Sequence, residues 1–420
     1  MRPGTIMTRR CSAHKPRLDT TPLVKTDLPG PPTLTIDKGG TLYVFYGCHN
    51  TVIRYAQSSN PYETSEWDDM SGLTSVPVGA YPSPVTYDGD IYVLYRTGDT
   101  HKNSYPAHEH GTIIRSTDQR DTWTDLGPVI DTSGHPSSGN DACVFDFDEH
   151  NGKLHMSWVI ARGDPHGLPR AHAFHAYFDP DDESVYGVDG TEFGSTITWD
   201  EMSDSVVQAF QGQNVNNTKH AFKDDTVYVS FTHHNPDTNL VEWRLATWDG
   251  SEWDVEQVGD AVTKALTNNG QVRINDTGNR EVHPIAHGGE VDENEEVPVE
   301  PRGGNVEVYT RQDGNWTHRL VAPTTNFTTW GRLSLVRDGP DEFPALFCEK
   351  SSSFAIPNIR LFAKGAVGQN ATALKASLQT GYTPPLDLTR EKGDHEGAVQ
   401  VHDGSGDDNA YGPAVRNGEA

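Results

Sequence analysis

The apolar residues of this chain fall in short runs that alternate with polar residues, and this pattern constrains the fold more than any other feature. Each run is bounded by Gly, Asp, Asn or Pro, and helical periodicity is nearly absent. The 40 glycines and 27 prolines supply the breaks between runs. We therefore predict an all-β protein. Its clearest strands are TLYVFYG (41–47), DIYVLYR (90–96), KLHMSWV (153–159), TVYVSFT (226–232), NVEVYTR (305–311) and FPALFCE (343–349).

A second pattern follows the strands, in which a turn with Asp or Asn comes shortly before an aromatic residue. Such aromatic residues, separated by 63, 67 and 63 positions, are Trp123, Tyr186, Trp253 and Trp316. A repeat of this length built from short strands indicates the blades of a β-propeller, although common propeller repeats are somewhat shorter. The segment STDQRDTW (116–123) is similar to the Asp-box turn of sialidase-like propellers, with Arg120 where a glycine is expected. We predict seven blades, the seventh lying within residues 255–300.

The composition suits a ring of radial sheets, which needs no large apolar core. Hydrophobic residues make up 34% of the chain, below the 45–50% usual for globular proteins. We predict one propeller domain over residues 27–390. Residues 1–26 are predicted to be a non-native or disordered segment, and residues 391–420 a disordered acidic tail.

The charge excludes several classes of partner. With 60 Asp and Glu against 33 Lys and Arg, the net charge is −27, which repels nucleic acid and anionic membranes. No run approaches the roughly 18 apolar residues of a spanning helix. The chain has 12 Lys and 21 Arg. An acidic, lysine-poor surface indicates adaptation to concentrated salt, where the Debye length falls to about 3 Å.

The cysteines and the first residues bear on the compartment. Cys11, Cys48, Cys143 and Cys348 are far apart and form no CxxC motif, so neither a disulfide scaffold nor a zinc knuckle is predicted. The pair Arg9-Arg10 is followed by no apolar segment. We expect a cytoplasmic protein if the chain begins as written, and a secreted one if the true start lies upstream.

Several catalytic motifs are absent from the sequence: a Walker loop, a dinucleotide fingerprint, a GxSxG elbow and an HExxH helix. Close histidine pairs could ligate a metal, but no third ligand follows at a recognisable spacing. They are His108 with His110, His172 with His175, His233 with His234, and His283 with His287. We predict no catalytic metal and no required cofactor, and leave a structural metal ion open.

Residues 27–96 carry the most informative order of residues. The segment contains Gly47-Cys48-His49-Asn50, then Tyr81-Pro82, then a strand ending Tyr95-Arg96. This order resembles the BNR-repeat propellers that include the seven-bladed ulvan lyases and related rhamnosidases. The resemblance extends over about 27–365 in pattern, but its specific motifs lie within 27–100.

One element of the family pattern is missing. The family opens its first blade with an Asp-His motif, about 20 residues before the histidine that corresponds to His49. In this chain Pro29 occupies the position of that first histidine. Either the segment before Leu28 is not the native sequence, or this protein has lost one catalytic group.

The resemblance implies a polysaccharide lyase whose site residues are Tyr81, His49 and Arg96. Eliminating a 4-linked uronate requires removal of a proton α to a carboxylate, so a fixed cation must neutralise that carboxylate. An arginine fork suits this role. Tyr81 is assigned as base and acid if a nearby guanidinium lowers its pKa from about 10. His49 assists as a second base or binds the carboxylate.

Asn50, Asn140 and Arg162 are weaker candidates for contacts to the sugar hydroxyls or the carboxylate, and each could equally be a structural turn residue. The predicted partner is an anionic, sulfated, uronate-containing polysaccharide, and a monomer is expected. Two alternatives stay open: a rhamnosidase- or sialidase-like glycoside hydrolase on the same scaffold, and a non-catalytic carbohydrate-binding propeller. A hydrolase would use paired carboxylates.

Overall fold

A computed structural model describes the chain over the ranges 33–46, 49–62, 66–70, 79–98, 109–117, 122–134, 141–161, 170–208, 215–235, 237, 240–261, 271–275, 278–283, 285–286, 305–322, 328–335, 345–351, 359–362, 388–389 and 398–401. These residues are almost entirely β-strand, as the short alternating runs predict. No helix in this part of the chain has the length and apolarity needed to cross a bilayer.

In the described ranges the strands form six consecutive, mainly antiparallel units of four or more strands, and the second and third units are joined in one twelve-stranded sheet. The first unit contains β1 (Thr33–Ile36), β2 (Leu42–Tyr46), β4 (Arg54–Ser58) and β5 (Trp67–Asp69). The short strand β3 (His49–Thr51) leaves this unit and pairs with the inner strand of the second unit. The second unit contains β6 (Gly79–Tyr87), β7 (Asp90–Gly98), β8 (Glu109–Ser116) and β9 (Thr124–Asp131).

The third unit contains β10 (Asp141–His150), β11 (Lys153–Ala161), β12 (Arg170–Asp179), β13 (Ser184–Gly187) and, paired with β13, β14 (Glu192–Gly194). After β14 come β15 (Ile197–Thr198), which pairs with β9 of the second unit, a 3₁₀ turn at Met202–Ser205, and β16 (Val206–Gln208), which pairs with β12. The fourth unit contains β17 (Val215–Lys223), β18 (Thr226–Asn235), β19 (Leu240–Trp248) and β20 (Trp253–Ala261).

The fifth unit contains β21 (Gln271–Ile274), β22 (Arg280–His283), β23 (Ile285–Ala286), β24 (Asn305–Gln312) and β25 (Asn315–Ala322). The sixth contains β26 (Thr328–Leu335), β27 (Ala345–Ser351), β28 (Ile359–Phe362), β29 (Leu388–Thr389) and β30 (Ala398–Val401). Repetition of a four-stranded antiparallel sheet along the chain is the architecture of a β-propeller.

The turn residues explain why consecutive strands form hairpins. Asp88 and Gly89 have φ values of 47° and 95°, and Asn151 and Gly152 have 51° and 78°. A positive φ at both central positions defines the type I′ turn, whose twist matches that of paired strands. Each aromatic of the predicted repeat lies on the fourth strand of its unit or immediately before it. Those residues are Trp123, Tyr186, Trp253 and Trp316, and Trp67 begins the fourth strand of the first unit.

The core lies between neighbouring sheets. Trp158 and Phe174, neighbours on two strands of the third unit, stack with ring centroids 5.2 Å apart and belong to a buried cluster that also contains Leu94 and Ile113 of the second unit. A second apolar cluster joins the third and fourth units. Because each sheet buries its faces against adjacent sheets, the fold needs fewer apolar residues than a single large core would.

Two segments of the chain differ from what the sequence pattern suggests. The described part of 255–300 forms no separate blade: it completes β20 and supplies β21, β22 and β23 of the fifth unit. Those fifth-unit strands are only two to four residues long, too short to show a clear alternation. Within the predicted tail 391–420, Ala398–Val401 pairs as a strand with Ile359–Phe362, and the disorder predicted for the rest of the tail stays a prediction. A seventh blade stays a prediction, and residues 1–26 lie outside the described residues.

Candidate functional site

The site is built at a β-bulge in the inner strand of the second unit. Ala80 pairs with Arg96 and Ser83 pairs with Leu94, so Tyr81 and Pro82 together oppose the single residue Tyr95. Tyr81 has a φ of 54°, a left-handed conformation that is uncommon for a bulky residue. Bulges of this kind redirect a side chain and are common next to active sites.

The bulge brings the Tyr81 side chain against Arg96. The guanidinium carbon of Arg96 lies 4.8 Å from the centroid of the Tyr81 ring, which is cation–π geometry. Arg96 is only 5% exposed. Tyr81 is half-buried and packs against the apolar cluster of the third and fourth units, whose members include Val159 and Val215. The tyrosine of the second unit therefore reaches toward the next two units.

The backbone of His49 adjoins this pair. His49 on β3 pairs with Ala80, and Ala80 pairs in turn with Arg96. Three neighbouring strands thus present His49, Ala80 and Arg96 in one row, with Tyr81 directly after Ala80. The side chains of His49 and Asn50 lie outside the described residues, as does Pro29. The structure therefore brings Tyr81 and Arg96 together and places the His49 backbone beside them.

Glu109, which the sequence did not single out, is the charged neighbour of Arg96. Glu109 Oε2 lies 3.1 Å from Arg96 Nε, and both side chains are buried. The two atoms are at ion-pair distance without the alignment of a direct hydrogen bond. A buried arginine requires a counter-charge, so a search for carboxylates near the start of the following strand could have found Glu109.

Charged groups also lie next to Glu109 in the sequence. His110 Nδ1 is 3.2 Å from Asp131 Oδ1 and 3.4 Å from the backbone nitrogen of Thr132. A protonated imidazole would pair with the Asp131 carboxylate, whereas a neutral one can accept a hydrogen bond from Thr132. The Thr132 hydroxyl donates to the carbonyl oxygen of Glu109 at 3.0 Å. The end of β9 therefore fixes the start of β8.

The tyrosines of β7, the strand paired with the bulge, are poorly suited to act as a base. Burial raises the pKa of Tyr95, with a smaller contribution from Asp125. Burial also raises the pKa of Tyr92 to about 12, partly offset by Arg115. Both phenols therefore stay protonated near neutral pH. Tyr81, on the bulge, is the tyrosine in contact with the Arg96 guanidinium.

Asn140 and Arg162 lie outside the described residues, but their chain neighbours are placed. Asp141, which follows Asn140, pairs with Ala161, which precedes Arg162. Asp141 also pairs with Glu109 of the second unit. The chain therefore enters β10 and leaves β11 at the same end of the sheet as the Arg96–Glu109 pair, and contacts of Asn140 and Arg162 to the sugars stay a prediction.

The described histidines form no metal site. Within the described ranges, no three His, Cys, Asp or Glu side chains are grouped as metal ligands. His233 lies 3.5 Å from Glu242, which also accepts hydrogen bonds from Asn235 and Arg244. Burial opposes ionisation of Glu242, but these hydrogen bonds and the Arg244 charge hold its pKa below the ordinary value. A structural metal ion stays a prediction.

The sheets and their bulged inner-strand site define a β-propeller of the BNR-repeat type. The chain matches the BNR repeat-containing family over residues 5–261, more than half of its length, and it belongs to that family. The predicted resemblance is confirmed.

Curated relatives carry a named activity. The chain is 24% identical to "Ulvan Lyase-PL25" of Pseudoalteromonas sp. (strain PLSV), over 34% of this chain and 39% of that protein. It is 25% identical to "Ulvan lyase" of Nonlabens ulvanivorans, over 37% of each protein. The matched regions thus span about two fifths of the length of these relatives.

A solved structure supports the fold. A polysaccharide lyase, PL25-ulvanlyase, bound to -[GlcA(1-4)Rha3S]-, superposes with a TM-score of 0.62 at 17% identity. The superposition covers 84% of this chain and 83% of that one. The predicted β-propeller is therefore confirmed across most of the chain.

Proposed function

We propose that this protein is a polysaccharide lyase that cleaves a uronate-containing, sulfated, ulvan-like polysaccharide by β-elimination. The observation that carries the proposal is the contact between Tyr81 and Arg96, 4.8 Å from ring centroid to guanidinium carbon, at a strained bulge. Membership of a family with relatives named ulvan lyases supports the same activity.

Arg96 would neutralise the uronate carboxylate. While that carboxylate keeps its full charge, the proton on C5 is too weakly acidic to remove. A guanidinium next to the carboxylate favours the charge that develops there when the proton leaves. Arg96 is held near the end of β7 by the Tyr81 ring and the Glu109 carboxylate. Its guanidinium therefore needs to move little when the substrate binds.

Tyr81 would transfer the protons. As a phenolate it takes the C5 proton, the C4–O4 bond breaks, and a double bond forms between C4 and C5. The resulting phenol then protonates the departing O4, so the step consumes no water and needs no redox cofactor. A positive charge close to the phenol oxygen favours the phenolate. His49 would assist the base, and Asn50, Asn140 and Arg162 would contact the sugars.

The charge of the protein restricts the conditions for binding. A chain with a net charge of −27 repels a sulfated polyuronate at low ionic strength. Salt at about 1 M shortens the Debye length to about 3 Å. Attraction at short range to Arg96 can then act, while the long-range repulsion is screened.

The assay follows directly from the chemistry. The purified protein is incubated with ulvan and other uronate polymers in high salt, while absorbance in the near ultraviolet and new reducing ends are both measured. Elimination yields an unsaturated uronate, so both signals should rise together. New reducing ends without absorbance would indicate a glycoside hydrolase. Binding with neither signal would indicate a non-catalytic carbohydrate-binding propeller.

A further inference from the structure

Glu109 is placed by the strand register to act on Arg96. Arg96 pairs with Gly111 across β7 and β8, and Glu109 lies two residues before Gly111. Residues two apart on one strand share a face of the sheet, and a long side chain reaches such a diagonal neighbour. The Glu109 carboxylate consequently lies 3.1 Å from Arg96 Nε.

The backbone around Glu109 is held on two sides. Its carbonyl oxygen accepts a 3.0 Å hydrogen bond from the Thr132 hydroxyl, and its backbone pairs with Asp141 of the third unit. At Gly111 an added Cβ would lie 2.8 Å from Ile130 Cδ1, so this part of β8 is packed closely against β9. Glu109 is thus a fixed partner and not a mobile surface carboxylate.

The Arg96 guanidinium is therefore constrained in two directions. Its Nε faces Glu109, and the ring of Tyr81 lies against its carbon. We propose that Glu109 is a positioning residue, which fixes the orientation of Arg96 toward the substrate carboxylate. This inference rests on the proposed lyase function. Glu109 acts through Arg96 and makes no contact with the reacting atoms.

Removing the charge of Glu109 distinguishes a positioning role from a merely structural one. The Arg96–Glu109 pair is neutral overall, so a glutamine at 109 leaves a net positive charge beside the anionic substrate. Binding should then be unchanged or tighter. Turnover should fall, because the guanidinium loses the charge that orients it. Partial unfolding alone would lower the apparent kcat at unchanged KM, so kcat is expressed per folded protein, and unfolding alone would not lower KM.

The test compares Glu109→Gln and Glu109→Asp with the parent protein in the ultraviolet elimination assay, at fixed high salt. Glu281→Gln is the matched control, because Glu281 is also buried, 4.0 Å from Arg273 in the fifth unit. Thermal unfolding and circular dichroism establish that each variant is folded. For Glu109→Gln we expect kcat to fall about 10- to 100-fold, with KM unchanged or lower. Glu281→Gln should leave both constants near the parent values.

The outcomes separate the two proposals. If the parent protein shows no ultraviolet product on any uronate polymer, the lyase function fails and the role of Glu109 fails with it. If the parent is active and folded Glu109→Gln keeps the parent kcat, or raises KM in parallel with a fall in kcat, only the positioning role is wrong. If Glu109→Gln does not fold, Glu109→Asp provides the test, because its side chain is one methylene shorter. An unchanged kcat in Glu109→Asp would contradict the proposal.

Discussion

The imidazole rings of His155 and His175 meet in the protein interior, with Nδ1 of His155 3.2 Å from Nε2 of His175. His220 of the fourth unit is also close, its ring centroid 6.0 Å from that of His175. Burial and the neighbouring His175 and His150 hold the pKa of His155 well below its ordinary value of 6.5. Burial and His220 lower the pKa of His175 in the same way. Both rings are therefore neutral in the folded protein.

This pair should make the protein sensitive to mild acid. The unfolded chain binds protons at these histidines near pH 6.5, and the folded chain does so only at lower pH. The free energy of unfolding should be constant above about pH 7 and should fall as the pH drops below about 6.5. Each extra proton bound by the unfolded state contributes about 1.4 kcal/mol per pH unit. Urea unfolding between about pH 5 and 7.5 at fixed salt measures this slope.

A variant isolates the contribution of the pair. His175→Gln should flatten the acid slope, because glutamine keeps a polar nitrogen near His155 and takes up no proton. His318→Gln is the control, since His318 is exposed on β25 and stacks on Tyr309. Equal slopes in His175→Gln and the parent protein would contradict the assignment.

Gly79 should tolerate no larger residue. It pairs with Thr51 of β3, and an added Cβ would lie 2.8 Å from Ile53 Cδ1 and 2.9 Å from Tyr95 Cδ2. Both neighbours are buried, so Gly79→Ala should lower the free energy of unfolding by about 1–3 kcal/mol. Urea titration measures this loss. The exposed Gly134, with its nearest side-chain contact at 3.3 Å, provides the control, and an equal loss in Gly134→Ala would disprove the packing argument.

The sequence pattern predicted those elements of the fold that depend on residues close together in the chain. Alternating apolar residues marked β7, β11 and β18, and the Asp88-Gly89 turn supplied the positive φ values of a tight hairpin. The aromatic repeat located the fourth strand of the second, third, fourth and fifth units. The short strands β21 and β22 could not be predicted, because four residues carry too little alternation and their stability comes from pairing with β24.

The candidate site was predictable only in part. The family order of residues singled out Tyr81 and Arg96, and the structure places the Arg96 guanidinium against the Tyr81 ring; their roles in the reaction stay a prediction. The bulge that directs Tyr81 exists because its strand has one more residue at that point than the partner strand. The sequence of one strand alone does not show this difference. Glu109 depends on the diagonal register between β7 and β8. Both features are properties of strand pairs, so a reading of one strand at a time misses them.

Stability should increase with salt. The net charge of −27 produces repulsion that salt screens, since the Debye length falls from about 10 Å at 0.1 M to about 3 Å at 1 M. The melting temperature, followed by circular dichroism in increasing sodium chloride, should rise over this range. Replacing the exposed carboxylates Asp200, Asp237 and Asp254 with Asn should reduce this dependence. Full stability without added salt would contradict the inferred adaptation.

Removing one oxygen atom tests the role of Tyr81 in the reaction. Tyr81→Phe keeps the aromatic ring that lies against Arg96 and loses only the hydroxyl, so the fold and the position of the guanidinium should be preserved. A positioned acid or base contributes about 10²- to 10⁴-fold to a rate, and kcat in the ultraviolet assay should fall by that order while KM changes little.

A second tyrosine provides the control for this experiment. Tyr186 lies on the outer strand of the third unit, and its hydroxyl donates to Asp182 at 2.6 Å. Tyr186→Phe should therefore keep the parent kcat. If Tyr81→Phe is folded and also keeps the parent kcat, Tyr81 transfers no proton. The base would then have to be sought among the remaining groups of the row, beginning with His49, whose backbone pairs with the residue just before Tyr81.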